Sequence, residues 1–365
     1  MFMQTAYKHL IRPIVFALSK DDPEKAHEKA LELLHYLGES KLVAKTLRSF
    51  LFVDDLRLRQ NFFGLEFPNL VGLAAGFDKD GVAIFGLEAL GFGFEEIGAV
   101  VLVSQAGNPR PRIFRFPADE TLINRMGFNS NGVDMVVSRL SSSRRLRIPL
   151  FINLGKVKAT PLEKSDGEYA LLLRKLYRYA DGFVINVSSP NTPNLRRLHE
   201  ANYLRSILCA INAVREEFPD SERKPVFVKI SPDLTWGAID DVLTICLEYG
   251  INGIVATNTT ISRTGFSIVT NEAGGMSGPP LRKRVLEVIK YIHRQTHGSM
   301  FTIGVGGISC AQDAYEMTKS GASLIQILTS LVFRGPSIVY DINKGLLKLM
   351  ERDGIKHISQ LRGGL

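Results

Sequence analysis

Amide, hydroxyl and lysine side chains recur in this sequence directly after short apolar runs. Ala75-Gly76-Phe77-Asp78-Lys79 follows one run, and Asn153 and Lys156 close another. Asn186-Val187-Ser188-Ser189-Pro190-Asn191-Thr192 follows a third, and Lys229 lies in a fourth. Thr257-Asn258-Thr259-Thr260 ends a fifth and Gly304-Val305-Gly306-Gly307 a sixth. Singly, each has an ordinary structural use, since Asn and Thr cap helices and Gly makes turns. Brought together, they would suit an anionic ligand joined to a heterocycle that offers hydrogen-bond donors and acceptors. HExxH, Walker A and GxSxG sequences are absent, and Gly91-Phe92-Gly93 lacks the third glycine of a dinucleotide fingerprint. Gly278 and Gly304 to Gly307 would let backbone N–H groups approach a phosphate, with a helix from Ala311 aiming its N-terminus there. A flavin mononucleotide (FMN) would fit, with one phosphate and a ring resting against amides and a lysine.

The elements that must position these groups alternate. Strand-like apolar runs fall at 70–74, 94–98, 150–154, 183–187, 226–230, 253–257, 301–305 and 324–328. Helix-like segments lie at 161–179, 203–217, 236–249, 281–294, 311–320 and 337–350. Continuous apolar strands joined by helical crossovers mean a parallel sheet buried on both faces. Eight such units predict an α/β fold of the (β/α)8 TIM barrel type, in which successive strand ends meet around one mouth. An open doubly wound sheet has the same strand count. Residues 99–130 and 262–280 are too long for ordinary loops and would lie at that mouth.

The chain has 365 residues, a formal net charge of +8, 45% hydrophobic and 22% charged residues. That balance excludes a disordered or disulfide-scaffold protein. Cys209, Cys246 and Cys310 have no zinc or redox spacing, so no metal site is expected. The basic cluster Arg139, Arg144, Arg145 and Arg147 has no interleaved aromatics, so nucleic acid is not expected as a partner. No apolar run approaches the ~20 residues of a membrane-spanning helix. Lys8, Arg12 and Lys20 accompany Leu10, Ile11, Ile14, Val15, Phe16 and Leu18 at the start of the chain, and no acid falls among its first twenty residues. Asp21-Asp22-Pro23-Glu24 then reads as a helix start. Short amphipathic helices with a basic lead suit a membrane interface, or a hairpin packed on its own domain.

Seven motifs, in order, carry a resemblance over nearly the whole chain. They are Ala74 to Lys79, Gly107 to Arg112, Ile123 to Asn129, Asn186 to Pro193, Ala256 to Thr260, Gly274 to Gly278 and Gly304 to Ile308. The sequence resembles the class 2 dihydroorotate dehydrogenases, quinone-linked flavoenzymes of pyrimidine synthesis. The resemblance implies an FMN-bearing barrel over residues 53–365, preceded by a helical extension, 1–52, for membrane contact and quinone access. It implies oxidation of dihydroorotate to orotate, with Ser189 as the base for the C5 proton, a C6 hydride passing to the flavin, and a membrane quinone as final acceptor. Thr192 and Phe128 would shape the proton's route from Ser189. Substrate would be held by Lys79, Asn124, Asn186, Asn191, Asn258 and Thr259, within reach of Arg125, Met126 and Gly127. The flavin would lie against Ala75, Gly76, Phe77, Asp78, Ala99 and Asn153, and against Lys79, Asn186, Lys229, Thr257 and Gly278. Its phosphate would meet Gly306, Gly307, Leu328 and Thr329, and His27 and Arg115 would line the quinone path. By the same resemblance the enzyme would be a monomer, peripheral on the cytoplasmic side of the cell membrane.

The chain departs from the family pattern at three places. Ala99 replaces a hydroxyl residue, Val157 an asparagine and Leu328 a tyrosine. These departures bear on flavin and quinone contacts. They keep open a flavin barrel with another acceptor, or a membrane-surface binding protein without flavin.

Overall fold

In a computed structural model, which describes residues 4–5, 7–267 and 270–364, the eight expected apolar runs form one closed parallel barrel. Its strands are β3 (Val71–Leu73), β4 (Phe94–Val100), β7 (Leu150–Leu154), β8 (Gly182–Asn186), β9 (Val226–Ile230), β10 (Gly253–Ala256), β12 (Phe301–Val305) and β13 (Leu324–Ile327). Each pairs with its sequence neighbour in the barrel, and β13 pairs back onto β3 (Ile325 with Val71). Closure removes the open-sheet alternative. Strands buried on both faces need apolar side chains throughout, which is why they read as continuous runs.

Elements outside the repeat close the two ends. A hairpin of β1 (Gln60–Phe62) and β2 (Leu65–Phe67) plugs the N-terminal end of the barrel. Its turn residues, Phe63 and Gly64, have φ of 56° and 73°, the left-handed pair that matches strand twist in a two-residue hairpin. Phe62 and Phe63 meet Phe301 with ring centroids 4.8 and 4.9 Å away, and Phe67, Phe94, Phe151 and Phe227 continue the cluster. At the other end the two long insertions find each other. β5 (Ile113–Phe116), β6 (Thr121–Asn124) and β11 (Gly275–Ser277) form a three-stranded antiparallel sheet over the mouth.

The leading residues fold as helices against this body. They are α1 (Arg12–Leu18), α2 (Pro23–Glu39) and α3 (Lys41–Leu51); the side chains of Ile11, Phe16 and Leu18 lie outside the described part. Asp22 caps α2, its carboxylate accepting from the N–H groups of Glu24 and Lys25 at 2.9 and 3.3 Å, with Pro23 in the first turn. The α2 helix rests on the barrel helix Ile84–Ala89 through two glycines. A Cβ at Gly38 would fall 2.4 Å from the Gly86 nitrogen, and one at Gly86 2.0 Å from the Leu34 oxygen. Arg144 donates to the Gly38 carbonyl at 2.7 Å and stacks over Phe85, so one member of the basic cluster clamps the C-terminal end of α2. At its other end Glu24 is buried and accepts from Arg112 Nη2 at 2.7 Å and from Arg110 at 3.0 Å. Arg112 also donates to the carbonyls of Ala106 and Asn108 at 2.6 and 2.8 Å. The extension is thereby pinned to the mouth loop.

Candidate functional site

One continuous cavity of about 660 Å³ runs from the barrel mouth to the helices α1 and α2. Around it the strand ends deliver the residues singled out in the sequence. Lys79, Asn124, Met126, Gly127, Phe128, Asn186, Ser189, Asn191, Asn258 and Thr259 line it, as do Ala75, Gly76, Phe77, Ala99, Lys229 and Thr257. Gly278, Gly306, Gly307, Leu328 and Thr329 line the same space, and His27 and Arg115 face it with Tyr7, Ala30 and Leu33.

Three expected residues point elsewhere. The Asp78 carboxylate accepts from the Val82 and Ala83 N–H groups at 2.9 and 2.7 Å, holding the turn before the helix Ile84–Ala89. Arg125 pairs with Glu272 at 2.6 Å and stacks over Phe114 on the mouth sheet. Asn153 sits one layer below the cavity, donating to Glu96 at 2.6 Å and accepting from Asn186 at 3.0 Å. Val157 is buried and lies outside the lining.

The amides are linked in two sets. Asn258 donates to Asn186 and to the Ser188 hydroxyl at 3.3 and 3.0 Å, and Asn191 donates to Asn124 at 3.1 Å. Each amide is thereby oriented by its neighbour at the cavity wall. Ser189 is 6% exposed, and its Oγ accepts from the Asn191 N–H at 3.3 Å. The nearby Thr192 hydroxyl is buried with no partner among the described residues. Phe128 holds φ at 55°, a conformation rare for an aromatic residue, and its carbonyl is anchored by Gln105 at 2.9 Å.

Electrostatics divide the cavity. Burial brings the Lys79 ammonium down to about 8, against the pull of Glu24. Burial, with the Lys79 charge beside it, holds His27 neutral at about 3, its ring edge-on to Phe77 at 4.9 Å. The histidine is therefore a wall of the cavity rather than a helix-surface group.

Three charge pairs that the sequence reading missed hold the site from behind. Arg196 pairs with Asp233 at 2.9 Å and donates to the carbonyls of Ser188 and Thr259, both at 3.4 Å. Asp233 also accepts from the Thr260 hydroxyl and the Ile261 N–H, tying the Ser189 loop to the Asn258 loop. Glu96, fully buried inside the barrel, binds Asn153, Lys229 and Gln326. The Glu24–Arg112 pair is the third. Only Glu96 left a sequence signal, since it and Glu95 are two acids inside a buried strand.

The donor set fits an FMN. Gly76, Gly278, Gly306 and Gly307 border the cavity with φ between 73° and 128°, and a Cβ at Gly307 would collide with Arg282 at 2.4 Å. Backbone N–H groups can thus approach a phosphate where no side chain fits. Gln326 lines the cavity and keeps a buried carbonyl oxygen without a donor among the described residues.

Comparison with known proteins agrees with this architecture. The sequence model of the family described as "Dihydroorotate dehydrogenase" matches residues 57–350. A protein of Trichormus variabilis named dihydroorotate dehydrogenase (quinone) is 46% identical, over 98% of both chains. One of the same name from Chloroflexus aurantiacus is 47% identical, over 93% of this chain and 96% of its own. A crystal structure described as DHODH in complex with ferulenol, from Eimeria tenella, superposes with a TM-score of 0.85 at 35% identity, covering 94% of this chain and 95% of its own. The family match, the closed barrel and the full-length relatives agree: the chain belongs to the dihydroorotate dehydrogenase family of oxidoreductases.

Proposed function

We propose that this enzyme oxidises dihydroorotate to orotate in pyrimidine synthesis, with bound FMN and a membrane quinone as successive electron acceptors. The observation that carries the reading is a serine, a lysine and five oriented amide or hydroxyl side chains around one cavity that continues to a pair of amphipathic helices. FMN, when bound, supplies a two-electron acceptor for the substrate and a donor for the quinone.

The chain's own residues do the rest. Lys79 holds the substrate carboxylate, charged below about pH 8. Asn124, Asn186, Asn191, Asn258 and Thr259 match the amide edges of the ring and fix it in one orientation. Ser189 Oγ then takes the C5 proton. A serine hydroxyl is a weak base. The unpartnered Thr192 hydroxyl supports a hydrogen-bonded route that relays the proton onward. Phe128 and the mouth sheet keep bulk water off the ring.

Residues 1–52 serve as the membrane piece and 53–365 as the catalytic barrel. Leu42, Tyr36 and Phe50 are 75%, 72% and 69% exposed on α2 and α3, two helices that also carry Lys25, Lys29, Lys41 and Lys45. Large apolar groups flanked by lysines suit burial among lipid head groups and acyl chains. Among the described residues no helix is long and apolar enough to cross a membrane. The association is peripheral, by a monomer on the cytoplasmic side of the cell membrane, and quinone enters between the helices past His27 and Arg115.

Ser189→Ala tests the chemistry. The variant retains its flavin and slows anaerobic flavin reduction by dihydroorotate by about 10²-fold or more. A change below threefold would remove Ser189 from the mechanism.

A further inference from the structure

Glu96 joins three barrel strands beneath the cavity. It stands on β4 with its side chain inside the barrel and is 0% exposed. One carboxylate oxygen accepts from Asn153 at 2.6 Å and from the Lys229 ammonium at 3.3 Å. The other accepts from Gln326 at 2.6 Å. Those three donors stand on β7, β9 and β13, so one carboxylate bridges three strands across the barrel. Lys229 and Gln326 themselves line the cavity, whereas Glu96 lies beneath them.

A buried carboxylate is costly to desolvate unless it is paired and hydrogen-bonded, and here every bond it makes ends on a group at or just below the cavity floor. The ring of a flavin gains electrons in this place, and a positive charge below it favours that gain. Glu96 both aims the Lys229 ammonium and offsets its charge.

We propose that Glu96 is a positioning residue for the flavin: it fixes Lys229, Asn153 and Gln326 in one arrangement and, as the counter-charge of Lys229, lowers the reduction potential of the bound cofactor. The inference rests on the flavin reading of the cavity.

The test compares full-length wild type with Glu96→Gln and Glu96→Asp as purified holoenzymes. The readouts are flavin stoichiometry, flavin dissociation constant and midpoint potential by dye equilibration. Glu96→Gln keeps the size of the side chain and removes its charge. Gln326, whose carbonyl oxygen has no donor among the described residues, can turn its amide over and accept from the new NH2. The variant should retain flavin and shift the two-electron equilibrium toward the reduced form by tenfold or more, a rise of about 30 mV. Glu96→Asp keeps the charge but is one methylene too short to reach both Asn153 and Gln326. It should weaken flavin binding at least tenfold and leave the potential within about 30 mV of wild type. A Glu96→Gln holoenzyme with unchanged potential would overturn the proposal. So would a Glu96→Asp potential displaced further than that, or folded variants that hold no flavin at all. A wild-type protein without flavin would instead overturn the cofactor reading itself.

Discussion

Removing the charge of Glu24 should separate the two halves of the reaction. Glu24 and Arg112 are each 6% exposed at the side chain, and the carboxylate takes Arg112 Nη2 at 2.7 Å, Arg112 Nε at 3.1 Å and Arg110 Nη2 at 3.0 Å. Deleting one partner of such a buried pair costs about 3–5 kcal/mol. Glu24→Gln keeps one acceptor oxygen, so about 2–3 kcal/mol is expected. With an unfolding entropy of about 2.1 cal/mol/K per residue, the 365-residue chain should lose about 3–4 °C in Tm. The loss is local to the seat of α2 and would shift its docking equilibrium by about 30- to 150-fold. Because α2 walls the end of the cavity proposed for the acceptor and Ser189 stands on the barrel, the acceptor half-reaction should suffer alone. The Glu24 charge also holds the Lys79 ammonium up, so the comparison is made by stopped-flow at pH 6.5, below the Lys79 value of about 8, where flavin reduction by dihydroorotate should stay within twofold of wild type. Reoxidation by quinone in lipid vesicles should fall at least tenfold in kcat/KM. Equal losses in both halves, or no loss in either, would refute the idea that this ion pair seats the acceptor channel.

Two further outcomes follow from buried ionisable groups. Lys79, brought down to about 8 by burial, is charged below that pH and neutral above it. Orotate affinity, read from the flavin spectrum, should therefore weaken toward tenfold per pH unit above about 8, and a Lys79→Met variant should lack this limb. Glu95 is fully buried, has no hydrogen-bond partner among the described residues, and is driven well above the ordinary carboxylate range by burial and by the neighbouring charges of Asp78 and Glu88. The folded state then holds a proton that the unfolded state releases. Its contribution to stability is complete below the ordinary glutamate value near 4.3 and is lost as the pH rises toward the raised value. The Tm advantage of Glu95→Gln over wild type should widen between pH 5 and 8, and parallel Tm curves would contradict this.

The barrel was legible because each strand is buried on both faces and reads as an unbroken apolar run. Expected and observed strand limits differ by at most two residues, as at β4, which continues to Val100. Lys79, Asn186, Ser189, Asn191, Lys229, Asn258 and Thr259 were legible as polar groups at strand ends, whereas Asn124, Phe128, His27 and Arg115 came only from the family resemblance. What escaped was set by pairing across long sequence distances. Nothing local links Ile113–Asn124 with Gly275–Ser277, yet they make the sheet over the mouth. Glu24 with Arg112 and Arg196 with Asp233 are ordinary surface charges until the fold buries them. The hairpin turn was hidden because Phe63 occupies a position where Asn or Asp is usual. Asp78 carries family-motif identity but serves the backbone of the next turn. Arg144, in a basic cluster with no apparent task in the sequence, clamps α2.

The most direct test of the account is the visible spectrum of the purified full-length protein through one catalytic cycle. The protein should carry a bound flavin band at about 450 nm, bleached by dihydroorotate without oxygen and restored by a soluble quinone. A protein that carries no chromophore, or a flavin that dihydroorotate does not bleach, would contradict it.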